Sequence, residues 1–137
     1  YFRRELEKSR HPAYLFKISA RDLARFGQLY LEEGKWNGAQ LITEKWIERS
    51  TETYSSDLGG NPGSEGYGFL WWTNGKTFEE PVFYASGLGG HRLYVFPESE
   101  IVVVHQVNSY LAMYENNGIE VLVKMVLAAK IKPDSPN

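Results

Sequence analysis

Val82-Phe83-Tyr84-Ala85-Ser86-Gly87-Leu88-Gly89-Gly90-His91-Arg92-Leu93-Tyr94-Val95-Phe96-Pro97-Glu98-Ser99-Glu100-Ile101-Val102-Val103-Val104 reads as strand, turn, strand, turn, strand. The runs Val82–Ser86, Arg92–Phe96 and Ile101–Val107 are rich in aromatic and β-branched side chains, which suit a pleated, half-buried surface. Between them stand a glycine-rich stretch and Pro97-Glu98-Ser99-Glu100, both too short for a parallel crossover, which needs a dozen or more residues. The spacing predicts an antiparallel meander.

Upstream, Tyr67–Thr73 reads as a fourth strand, joined onward by an Asn74-Gly75 turn, and Tyr54–Gly66 is a loop by its Ser, Gly, Asp, Asn and Pro content. Two helices precede the loop. Ser19 with Asp22 three residues on predicts an N-cap, with Leu23, Phe26, Tyr30 and Leu31 on one face and Gly34 as the stop. After the turn Trp36-Asn37-Gly38, Thr43 predicts a second N-cap, with Trp46 and Ile47 on the buried side. Tyr1–Lys17 is polar and irregular, and Pro12 opposes a continuous helix there. A last helix is expected over Asn117–Lys130, with Val121, Met125 and Ala128 on one face and Leu122 nearby; residues 132–137 read as a tail. The order predicts an α+β fold, helices packed on an antiparallel sheet.

Composition narrows the partners. With 15 basic and 17 acidic side chains among 137 residues, the net charge of -2 offers no basic field for nucleic acid or anionic lipid. No segment approaches the roughly 20 apolar residues of a membrane span. Cysteine is absent, which removes disulfides, thiolate catalysis and zinc-thiolate sites without fixing a compartment. The chain opens on Tyr1 with no signal-peptide pattern, so we expect it to have been cut from something longer. Aromatic residues make up 15%, enough for a well-filled core and for lining part of a cleft.

A search for catalytic layouts is mostly negative. No Ser is followed three residues later by Lys, and no Gly-x-Ser-x-Gly elbow occurs. Tyr114-Glu115-Asn116 matches a Tyr-x-Asn spacing, a short pattern of common residues. Gly87-Leu88-Gly89-Gly90 lies between strands and lacks both the last glycine of a dinucleotide fingerprint and the lysine of a P-loop. It is either a turn with positive φ or a place where substrate approaches the backbone closely. His11, His91 and His105 show no metal-ligand spacing, and neither metal nor cofactor is expected. Inside an apolar strand, His105 suits a hydrogen-bonded structural role. His91, beside the glycines, is divided between exposed surface and pocket.

Three stretches together resemble the class C β-lactamase-like, penicillin-binding serine hydrolases. They are Ser9–Tyr14 with Ser19–Gly27, Gly66-Tyr67-Gly68-Phe69-Leu70-Trp71-Trp72, and Ser86–Pro97 followed by Ile101–Val104. The resemblance covers nearly the whole chain in the right order. It implies that residues 1–131 are the C-terminal segment of a β-lactamase/transpeptidase-like domain whose Ser-x-x-Lys and Tyr-x-Asn lie elsewhere. Leu88-Gly89-Gly90 then takes the position of the third motif, Lys-Thr-Gly or His-x-Gly in many members. Leucine departs from it, since it neither donates a hydrogen bond nor carries charge.

The resemblance therefore implies an esterase, amidase or peptidase acting by acyl transfer on a small ester or amide. This chain would supply the substrate wall (Leu88, Gly89, Gly90, Tyr67, Trp72) and one oxyanion donor, the backbone N–H of His91. Its partner would be the N-terminal part of the same protein or a second copy of the chain, and the resemblance leans towards a periplasmic or secreted setting. Two rivals stand beside it. One is a degenerate binding module with the same fold, which the leucine favours; the other is an unrelated small α+β interaction domain. An upstream Ser-x-x-Lys and Tyr-x-Asn would discriminate the enzyme.

Overall fold

Two hydroxyl caps start the helical part of the chain. The computed structural model describes residues 2–3, 14–56, 66–73, 77–87, 89–107 and 118–130. Ser19 is extended (φ -73, ψ 155) and its Oγ accepts the N–H of Asp22 at 3.1 Å, opening helix α1 (Ala20–Leu31). Thr43 Oγ1 likewise accepts the N–H of Trp46 at 3.2 Å and opens α2 (Glu44–Thr51). An uncapped helix start leaves N–H groups without partners, and each such cap contributes about 1 kcal/mol. Gly34 ends the α1 region at φ 85, donating its N–H to Leu29 at 2.7 Å. Asn37 (φ 49) and Gly38 (φ 80) then turn β3 (Lys35–Trp36) back onto β4 (Ala39–Gln40) as a small hairpin.

Farther upstream, β1 (Phe2–Arg3) pairs with β2 (Tyr14–Leu15), where the sequence suggested only irregular chain.

The main sheet has five antiparallel strands in chain order: β5 (Gly66–Tyr67), β6 (Trp72–Thr73), β7 (Phe83–Gly87), β8 (His91–Phe96) and β9 (Ile101–His105). The turn at Pro97–Glu100 is present, with Glu100 donating to the Pro97 carbonyl at 3.4 Å. Tyr67–Thr73 departs from its expected single strand. It folds into the β5–β6 hairpin, its tip held by Gly68 N–H to Trp71 at 2.7 Å and Phe69 N–H to Ser50 at 2.8 Å. Leu70 takes φ 67 there. The reason is steric: a Cβ on Gly68 would lie 2.5 Å from the Ser50 carbonyl oxygen, so the chain turns where α2 ends. The Asn74-Gly75 turn lies outside the described residues.

Alternation along β8 divides the core. Leu93 and Val95 pack with Tyr30, Ile47 and Trp71 beneath α1 and α2. Tyr94 and Phe96 pack with Val82, Tyr84, Ile119 and Val123 beneath α3 (Ile119–Ala128). The sheet is thus sandwiched. Val95, Phe96 and Val123 are fully shielded, each stabilising the fold by about 1.5–3 kcal/mol through burial. Gly27 lets α1 lie flat on the strands, since a Cβ there would meet Val102 Cγ1 at 2.6 Å and Leu93 Cδ1 at 2.8 Å.

Two helix faces differ from the pattern reading. On α2, Ile47 and Ser50 are buried while Trp46 is exposed, stacked obliquely on Phe69. On α3 the packed stripe is Ile119, Val123 and Leu127, and Val121, Met125 and Ala128 face outward. Both stripes of that helix are apolar, so the 3.6-residue period alone could not choose between them.

Candidate active-site wall

Strand register brings several chain segments to one end of the sheet. Gly87 pairs with His91, and Arg92 with His105, so the β7–β8 turn and the end of β9 lie together. Between the strands, Gly89 (φ 82) and Gly90 (φ 94) both take the left-handed region, where only glycine is unstrained. The Gly90 N–H closes the turn on the Gly87 carbonyl at 3.3 Å. Leu88 lies outside the described residues. The positive-φ turn is therefore present.

His105 stands directly behind this turn. Its Nδ1 is 2.9 Å from the Gly90 carbonyl oxygen. A carbonyl can only accept, so the contact is a hydrogen bond with the proton on Nδ1. This is the structural role expected of a histidine in an apolar strand.

His91 opens β8 with a half-buried side chain on the α1 face of the sheet, the face of Leu93 and Val95. It lines an open cleft of ≈ 710 Å³ with Phe16, Ile18, Leu23 and Gln106. Gln106 Nε2 donates to the Ile18 carbonyl at 3.3 Å, tying the exit of β9 to the start of α1. The Nδ1 of His91 is buried and makes no hydrogen bond. The His91 carbonyl accepts from Arg92 Nη1 at 2.9 Å.

Tyr67 and Trp72 do not join this cluster. They form an edge-on pair at 4.8 Å, and Trp72 continues a ring ladder through Tyr84 to Tyr94 on the α3 face. In the register Trp72–Tyr84–Tyr94, Trp72 is two strands across from β8 and three residues short of His91. Sheet spacings make that about 10 Å in each direction. At the β8 end of the ladder, burial pushes the Tyr94 hydroxyl pKa up, with Arg92 nearby acting the other way.

Of the residues singled out from sequence, the structure thus gathers Gly89, Gly90 and His91 and leaves the two aromatic residues apart. Ser86 and Gly87, exposed at the end of β7, belong to the same edge and were not singled out. Their signal was present: Ala85-Ser86-Gly87 carries a hydroxyl residue then glycine, the order of Lys-Thr-Gly, three residues before Leu88-Gly89-Gly90. Among the described residues no three His, Cys, Asp or Glu side chains could hold a metal, and no helix is long and apolar enough to cross a membrane.

The profile of the Beta-lactamase family matches residues 2–123. The chain belongs to this family. In the solved structures it is similar to a Bacillus anthracis protein assigned as a 6-aminohexanoate-dimer hydrolase, with 32% identity and a TM-score of 0.61. That likeness covers 80% of this chain and 27% of the other. An uncharacterized protein of Alkalihalophilus pseudofirmus is 28% identical over 102 residues, covering 68% of this chain and 30% of that relative. The chain thus spans less than a third of the length of each of these two proteins.

Proposed function

We propose that the β7–β8 hairpin is one wall of the acyl-transfer site of a β-lactamase-related serine hydrolase. The observation that carries this reading is the double-glycine turn, held at the sheet end by His105 and opening directly into the strand of His91. A substrate laid against such an edge meets backbone without Cβ atoms in the way. The hairpin supplies one oxyanion donor from its backbone, which the sequence resemblance assigns to the N–H of His91. The other donor, the nucleophilic serine and the base come from sequence beyond these 137 residues. Small amides or esters are the substrate class, and the name of the Bacillus anthracis relative supports an amide.

A second register of the same site is favoured by one observation. Ser86-Gly87 ends a strand, whereas residues 89 and 90 lie in the turn. In that register Ala85-Ser86-Gly87 is the third motif, and the donor is the N–H that follows Gly87. Both registers keep the chemistry and differ by three residues in the donor.

The test compares the isolated chain with the full-length protein. The chain alone turns over neither nitrocefin nor p-nitrophenyl esters, because it has no Ser-x-x-Lys. The full-length protein hydrolyses an ester or amide of this class and is labelled by a serine-directed acylating probe outside residues 1–137. Saturable turnover by the homogeneous isolated chain, with the probe on that chain, contradicts the reading. A full-length protein that binds such compounds without turnover supports the degenerate binding module instead.

A further inference from the structure

Beside the β7–β8 hairpin, on the α1 face of the sheet, lies the open cleft of ≈ 710 Å³. That is the size of a small-molecule site. Phe16, Ile18 and Leu23 make its walls apolar, and Lys17 stands exposed at its rim. Two of its polar groups already have partners. Ser19 Oγ accepts the Asp22 N–H and donates to Asp22 Oδ2 in the cap of α1, and Gln106 donates to the Ile18 carbonyl.

The imidazole of His91 is different. Its Nδ1 is shut off from solvent and has no hydrogen-bond partner, whereas Nε2 is not shut off and faces no protein partner either. A proton on Nδ1 would be a buried N–H with nothing to accept it, which is the rarer and costlier way to leave a polar atom unpaired. The ring proton therefore sits on Nε2, and His91 offers one N–H donor on the open side of its ring. Nε2 is bonded to Cδ2, and Cδ2 is the ring atom turned towards Gly87. A Cβ on Gly87 would lie 3.3 Å from His91 Cβ and 4.0 Å from Cδ2. Because Gly87 has no Cβ, the hairpin edge is continuous with the imidazole and, past it, with the apolar cleft.

We propose that this cleft is a specificity subsite, taking a short aliphatic group of the substrate together with one acceptor oxygen, which the Nε2–H of His91 binds. Its part in catalysis rests on the hydrolase reading, while the ligand chemistry of the cleft rests on these residues alone. The aliphatic group can come from the acyl or the leaving side of the scissile bond, and the substrates of the test separate the two.

The test uses the full-length protein and an inert probe, methyl pentyl ether, which has an apolar tail and an oxygen that only accepts. Nitrogen-15 NMR is expected to show His91 protonated at Nε2, and the ether should shift that nitrogen and the amides of Ile18 and Leu23. His91→Leu should weaken ether binding at least about threefold, as loss of one hydrogen bond does. Ile18→Trp, which fills the cleft, should weaken it at least about tenfold. In turnover, kcat/KM for p-nitrophenyl hexanoate over acetate reads the acyl side, and hexyl acetate over methyl acetate reads the leaving side. One of these ratios should be at least about ten, fall towards one in Ile18→Trp, and keep its value in Leu41→Trp, an equal gain of bulk on an exposed residue outside the cleft. Thermal melts confirm that the variants are folded. A ring protonated at Nδ1 overturns the donor assignment. Ether that leaves the Ile18 and Leu23 amides unmoved overturns the subsite and gives the cleft to the remainder of the protein. Ether bound in the cleft with neither ratio responding to Ile18→Trp overturns the link to substrate. Ether bound there in a protein without turnover contradicts the hydrolase reading and supports the ligand site.

Discussion

Gly90, His91 and His105 illustrate what single residues disclose. The turn chemistry of the glycines was legible, because consecutive glycines between strands suit positive φ. The identity of His105's partner was not, since a hydrogen bond across 15 residues depends on strand register. The ring ladder was hidden for the same reason. Aromatic content announced a filled core but not which rings would meet, and Tyr67 and Trp72 became part of the packing rather than neighbours of the turn. Tyr94 gives a test at this scale. Its folded pKa is raised by burial, so the neutral hydroxyl contributes stability that is complete below the unfolded value of about 10 and lost as pH rises through the raised value. Unfolding titrations between about pH 9 and 12 should show Tyr94→Phe losing less stability with pH than the parent chain. An equal slope for both would mean that Tyr94 does not titrate with unfolding.

Elements with a unique local signal were read correctly, and those with two equivalent solutions were not. Ser19 and Thr43 announced both helix starts, because a hydroxyl cap is a local bond. Tyr67–Thr73 had strand composition throughout, yet its break depends on the close approach of Gly68 to the end of α2, which no window of sequence contains. For α3, two apolar stripes made either face a candidate, and packing against β8 selected Ile119 and Val123. Gly27 supplies the matching prediction. Replacing it with Ala gains about 1 kcal/mol in helix propensity but drives a methyl into Val102 and Leu93, and overpacking costs about 1–3 kcal/mol. Denaturant melts should show Gly27→Ala no more stable than the parent, and less stable by up to about 2 kcal/mol. A clear gain in stability would show that α1 and the sheet are not in close contact.

For the whole molecule, the fold class, the order of its elements and the kinship with β-lactamases were all readable from the order of motifs. What the surface does was less so. Val121, Leu122, Met125 and Val126 leave an apolar stripe on the outer side of α3, and Phe16, Leu41 and Leu70 are largely exposed elsewhere. Contiguous apolar surface of this kind favours association. The isolated chain should therefore sediment as more than a monomer at high micromolar concentration, and charge substitutions at Leu122 and Met125 should shift it towards monomer. A parent chain already monomeric there, with no binding of an apolar dye, would show that these side chains are satisfied in solution.

The central proposal, that the backbone of the β7–β8 hairpin and not a side chain does the chemical work of the wall, is tested most directly by turnover of a p-nitrophenyl ester in the full-length protein. A backbone donor is insensitive to its own side chain, so His91→Ala should cost less than about tenfold. Gly90 sits at φ 94, where a β-branched residue is strained and displaces the strand that follows. Gly90→Val should lower kcat by at least about a hundredfold while the protein stays folded, as loss of one oxyanion donor does. A crippled His91→Ala beside a mild Gly90→Val would contradict the account and make the imidazole the chemical group.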